Sequence, residues 1–148
     1  MTVNLSYYAI PLVHLQTLFA SLRGATIRLG FPNNVAPREV ISEMEKSGKV
    51  KPHTIAKLKR RQAAHENCFE NMGSFIGAVV AGNTVGLSTT WMNAMSITYF
   101  SLRCLYIWLY LNVTEQKKSY FRSVVYWGCN FCFLATYVKA GLKLNSGL

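Results

Sequence analysis

Thirty consecutive residues, Gly73–Leu102, carry no charged side chain, and Glu70 and Arg103 are the ionisable groups nearest to that tract. A tract of this length matches the ~20 apolar residues needed to cross a ~30 Å hydrocarbon core. The run leading into it, Arg60–Met72 (RRQAAHENCFENM), is polar and helix-prone. Ionisable groups at membrane depth are costly, so they mark functional or paired positions by default.

The remaining composition points the same way. The chain has 148 residues, the length of one domain, and is 51% hydrophobic. Only 15% of it is charged, against roughly 25% for an average soluble domain. Its charges bunch into a dense basic segment between long uncharged tracts. The net charge of +10 fits basic membrane-flanking loops better than a nucleic-acid surface, because four apolar runs surround the basic patch. Cys68, Cys104, Cys129 and Cys132 all lie in or beside apolar runs, outside any disulfide-framework context. Cys129 and Cys132 read as small apolar side chains on one helix face. No metal site is expected. Met1–Asn4 lacks the positive start of a cleavable signal, so the first apolar run reads as an uncleaved anchor.

Four apolar runs predict four membrane-spanning helices, at about residues 5–28, 61–87, 90–113 and 120–142, within one domain covering 1–148. The fold class is therefore an all-α integral membrane bundle with up-down-up-down order. The connection at about 30–60 carries Pro32, Pro37 and Pro52. It reads as a cytosolic loop with one short helix near Pro37, capped through Ser42-Glu43-Met44-Glu45. Eight basic residues lie between Arg38 and Arg61, and Lys117 and Lys118 lie in the last connection. The positive-inside rule places both segments in the cytosol and both termini across the membrane.

At 100° per residue, Arg60, Ala63, Ala64, Asn67, Glu70, Asn71 and Ser74 share one stripe of the second helix. Arg60 and Arg61 also suit the membrane interface, whereas Asn67 and Glu70 lie two to three turns further in. On the third helix Tyr99, Arg103, Tyr106 and Tyr110 share a face, and on the fourth Arg122 and Tyr126 do. Two readings of Arg103 are open: an ion pair with Glu70 tying two helices, or a ligand-binding cation. The set of cations, carboxylate, amides and phenols at one depth suits a small anionic, peptide-like ligand. An arginine beside a thiol stabilises the nucleophilic thiolate.

Three motifs carry a resemblance. Ala64-His65-Glu66-Asn67-Cys68-Phe69-Glu70-Asn71, then Arg103-x-x-Tyr106-x-x-x-Tyr110, then Arg122-Ser-Val-Val-Tyr126 occur in order on successive helices. Together they resemble the membrane-associated proteins in eicosanoid and glutathione metabolism, and the Ala63-Ala64-His65 opening resembles the microbial and fungal-type branch. The resemblance covers nearly the whole chain. It implies a homotrimer in the endoplasmic reticulum membrane, with glutathione bound between subunits on the cytosolic side and a lipophilic substrate entering from the bilayer. It also implies that Asn67, Glu70, Arg103, Tyr106, Tyr110, Arg60 and His65 bind glutathione. Arg122 and Tyr106 would be the catalytic pair, with Arg122 at the thiolate. The implied activity is a glutathione-dependent transferase, peroxidase or isomerase. Ala63 stands where eicosanoid-synthesising members usually carry a carboxylate-binding arginine. That substitution keeps two alternatives open: a glutathione-independent isomerase or cyclase of a hydrophobic metabolite, and a non-catalytic lipid-binding member.

Overall fold

The computed structural model describes residues 3–146, which form six helices and no strand. In chain order they are α1 (Ser6–Phe19), α2 (Arg23–Arg28), α3 (Val40–Ser47), α4 (Pro52–Thr84), α5 (Thr89–Asn112) and α6 (Gln116–Asn145). The three long helices pack pairwise, and α1 lies against α4 and α5. Tight turns at Val85–Ser88 and Val113–Glu115 make α4, α5 and α6 successively antiparallel. The C-terminus of α5 and the N-termini of α4 and α6 therefore share one end of the bundle. Arg61 brings the C-terminus of α1 to that same end, by donating to the carbonyls of Phe19 and Ala20. We call it the basic end.

Several boundaries differ from those read in the sequence. The run at 5–28 is two helices, broken at Ala20–Leu22. A helix end leaves its last carbonyls without intrahelical donors, and α4 supplies them: Arg61 as above, and His65, whose Nδ1 lies 2.8 Å from the Thr17 carbonyl. The connection read as loop at 30–60 loses its last residues to α4, which starts at Pro52, a residue suited to a first helical turn. Ser42 lies inside α3 rather than capping it, and the N-cap is Glu39, without a side-chain cap. Val40, Ile41 and Met44 of α3 bury themselves against Ile55 and Leu58, giving the basic end a small core of its own.

Among the described residues, α5 alone is long and apolar enough to cross a membrane by length and hydropathy. The sequence reading counted four such runs, but α1 is only 14 residues long. The first half of α4 is charged, and α6 opens on Gln116-Lys117-Lys118. The outer faces nevertheless expose Leu12, Phe19, Ile97, Trp108, Trp127 and Phe131. An apolar surface that extensive marks contact with a membrane or another chain rather than with water.

The central core gathers Val13, Phe75, Ala78, Val79, Met92, Tyr99, Cys129 and Phe133. Gly82 lets α4 come close to its neighbours there. A Cβ at that position would lie 2.6 Å from Met92 Sδ and 3.1 Å from Thr136 Cγ2, and both side chains are fully buried. Gly82→Val is expected to destabilise the fold by about 1–3 kcal/mol through overpacking. Thermal unfolding in detergent checks this, with the exposed Gly24→Ala as the silent control.

Candidate functional site

Arg103 organises the interior. It lies nine residues before the end of α5, about 14 Å along the axis at ~1.5 Å per residue, and is 1% exposed. A guanidinium at that depth needs acceptors, because an unpaired buried charge is costly. Its Nη1 donates to Asn67 Oδ1 at 3.0 Å, and its Nε donates to the Tyr99 hydroxyl at 3.3 Å. The Tyr99 hydroxyl in turn donates to the Asn71 carbonyl at 3.4 Å, and its ring stacks on Phe75. Nη2 is buried with no partner.

This corrects one reading from sequence. No ion pair joins Glu70 to Arg103. The two ion pairs among the described residues are Lys59–Glu45 and Lys118–Glu115, both exposed. An amide, not a carboxylate, holds the buried arginine, and Glu70 is exposed on a different face of α4.

From Arg103 a ladder of rings leads towards the basic end. The guanidinium carbon lies 5.2 Å from the centroid of Tyr106, which is itself buried. The Tyr106 ring meets that of Tyr110 edge-on at 5.3 Å, and Tyr126 of α6 lies 6.5 Å from Tyr106. Arg122 completes the series, with its guanidinium carbon 4.3 Å from the Tyr110 centroid. A guanidinium held on an aromatic face keeps its edge N–H groups available as donors. Arg122 is therefore a positioned cation, while Lys118 is committed to Glu115.

The other sequence-predicted residues sit elsewhere. Glu70 and His65 line a cavity of about 650 Å³ between α4, the α1–α2 joint and the start of α3. Glu66, Arg23 and Arg38 share that cavity. Arg38 is legible in the sequence only as a topology charge, and nothing in the spacing of Arg23 or Arg38 links them to Glu70. His65 has its Nδ1 turned to the Thr17 carbonyl and its ring edge-on to Phe69 at 4.9 Å. A carbonyl only accepts, so Nδ1 is the donor in that contact. Arg60 and Arg61, grouped together in the sequence, separate in the structure. Arg61 caps α1, whereas Arg60 keeps a buried Nε without a partner.

The predicted residues thus divide into two sets. Arg103, Tyr106, Tyr110 and Arg122 lie along the α5–α6 seam, with Asn67 joined to its deep end. Glu70 and His65 open on the cavity beside α1 and α2. Tyr106, Tyr110 and Arg122 line no part of that cavity.

Buried cationic and phenolic groups along long helices with apolar outer faces define an all-α protein of the membrane-associated kind. The chain belongs to the MAPEG family, whose sequence model matches residues 5–142, from the cap of α1 into the last turns of α6. No curated protein and no solved structure matches it.

The Arg103–Asn67 bond predicts strong coupling. Asn67→Leu and Arg103→Met should each lower the unfolding midpoint, and the double variant should lose less than their sum, with about 1–3 kcal/mol of interaction. Glu70→Gln, at an exposed position outside the bond, should shift stability by no more than about 0.5 kcal/mol. Thermal unfolding of the parent protein and the four variants in one detergent checks both statements.

Proposed function

We propose that the protein is a membrane-bound glutathione-dependent transferase, peroxidase or isomerase acting on a lipophilic substrate. In this reading α1, α4, α5 and α6 all traverse the bilayer, the basic end faces the cytosol, and the chain assembles as a homotrimer in the endoplasmic reticulum membrane. Family membership supports the general class. The observation that carries the specific reading is the ladder from Arg103 through Tyr106 and Tyr110 to Arg122.

The chain's donors suit the ligand. Glutathione presents two carboxylates, two amides, an amine and a thiol, so it needs several N–H donors and one acceptor for its amine. Arg60 Nε and Arg103 Nη2 are buried donors without partners. Arg60 lies on the face of α4 that carries Asn67, so it brings a carboxylate-binding cation to a helix whose Ala63 supplies none. Glu70 offers the acceptor for the amine.

Arg122 holds the reacting sulfur as thiolate by offering charge-assisted N–H donors, and Tyr110 fixes the guanidinium from below. Tyr106 offers its hydroxyl as a hydrogen-bond donor beside the reacting group. Glutathione, when bound, would supply the sulfur nucleophile for an electrophilic carbon, whose leaving group departs, or for a peroxide, whose O–O bond breaks to release an alcohol. The separation of Glu70 from Arg122 within one chain supports a composite site, in which the cavity face of one subunit meets the α5–α6 face of the next.

Binding can be read from the ultraviolet thiolate band that grows when glutathione is added to the purified protein. Arg122→Ala should abolish the band and lower turnover by roughly 10²–10³-fold, the usual cost of removing one charge-stabilising donor. Arg122→Lys should restore part of the band. Glu70→Gln should weaken glutathione binding by roughly tenfold or more while keeping the band at saturation. Absence of any band overturns the reading, as does a band indifferent to Arg122. Turnover of a lipophilic substrate without glutathione would instead identify a glutathione-independent isomerase or cyclase on the same scaffold.

A further inference from the structure

On roughly the opposite face of α5 from Tyr106, two cavities of contrasting chemistry meet at one residue. The first, about 500 Å³, is a groove between α1 and α5 lined by Leu12, Leu15, Phe19, Phe100, Ile107 and Trp108. Its one amide, Gln16, is turned onto the Phe100 carbonyl and Cys104 Sγ, so the groove presents hydrocarbon. Along α5 it runs from Phe100 to Leu111, about 17 Å at ~1.5 Å per residue and close to half of a ~30 Å hydrocarbon core.

The second cavity, about 410 Å³, sits at the basic end, where α1 and α5 finish. Arg28 of α2 and Lys57 and Arg61 of α4 converge on it above an apolar floor of Ala25, Leu29 and Leu58. None of the three cations is in an ion pair among the described residues. Leu111 lines both cavities. Arg61 also joins them, since the carbonyls it binds belong to Phe19 and Ala20 on the rim of the groove. Scattered interfacial cations would satisfy a topology rule. Three that converge on one cavity, continuous with a hydrocarbon groove, match an amphiphile with an anionic head.

We propose that this bipartite cavity binds one anionic phospholipid, its phosphate among Arg28, Lys57 and Arg61 and one acyl chain in the α1–α5 groove. A phosphate headgroup brings one to two negative charges and several acceptor oxygens to the three cations. The lipid fills the seam beside the break between α1 and α2, and so braces the joint that forms one wall of the Glu70 cavity. The assignment does not depend on glutathione chemistry.

Trp108 provides the probe, because it lines the groove and is exposed. The full-length protein is placed in phosphatidylcholine nanodiscs doped with equal small fractions of brominated-chain phosphatidic acid or brominated-chain phosphatidylcholine. Phosphatidic acid should quench several-fold more than phosphatidylcholine, and Trp108→Phe should remove that excess. Arg28→Gln combined with Lys57→Gln should bring the two lipids to nearly equal quenching and leave the melting temperature in place, since both side chains are exposed and unpaired. Equal quenching by the two lipids overturns the proposal, and so does a preference that survives the double variant. Inorganic phosphate that erases the preference at constant ionic strength would assign the basic cavity to free phosphate, and would also overturn it.

Discussion

A guanidinium buried in the middle of α5, among the described residues the one helix long and apolar enough to cross a membrane, sets the terms for the rest of the molecule. Arg103 cannot shed its proton, so the fold must bring acceptors to it. Asn67 and Tyr99 are those acceptors. Supplying them fixes the rotation of α4 against α5, because Asn67 must point at the seam. Once α4 is fixed this way, Ala64, Cys68 and Phe75 turn inward, and Glu70 turns outward to the cavity beside α1. Gly82 then allows the close approach that seals the far half of the bundle.

The same rotation explains what the sequence revealed and what it concealed. Asn67 and Glu70 are three residues apart, about 60° around a helix at ~100° per residue. Both fall inside one broad polar stripe, so the pattern identifies a special stretch without saying which residue meets α5. Charge complementarity favours Glu70, yet packing of the small and aromatic residues of α4 selects Asn67. The face shared by Tyr99, Arg103, Tyr106 and Tyr110 is legible because all four lie on one helix, where periodicity alone decides. The split between Arg60 and Arg61 is not legible. It depends on where α1 ends, and Ala20–Leu22 contains neither glycine nor proline to announce the break. Arg23 and Arg38 join the Glu70 cavity through the path the chain takes between α1 and α3, which the periodicity of single helices does not report.

The chain partitions its cations by task. Arg103 is deep and bonded to Asn67 and Tyr99, Arg122 is held on a phenol face, and Arg61 closes a helix end. Lys139 lies 4.2 Å from the Trp91 ring and Lys143 donates to the Gly86 carbonyl, so the two lysines at the opposite end contact the start of α5 and the α4–α5 turn. Among the described residues, the buried cationic N–H groups without partners, Arg60 Nε and Arg103 Nη2, lie along the helices that the proposed function puts against glutathione.

In the proposed composite site, Glu70 and Arg122 come from different chains. Co-expression of a Glu70→Gln chain with an Arg122→Ala chain tests it directly, with the glutathione thiolate band of purified mixed oligomers as the readout. In a composite site, some neighbouring pairs unite the intact Glu70 of one chain with the intact Arg122 of the other. The account predicts a fraction of sites that form thiolate with unimpaired glutathione affinity, absent when the two variants are purified separately and pooled without subunit exchange. Mixed oligomers that behave only as the sum of the two separate variants would contradict it.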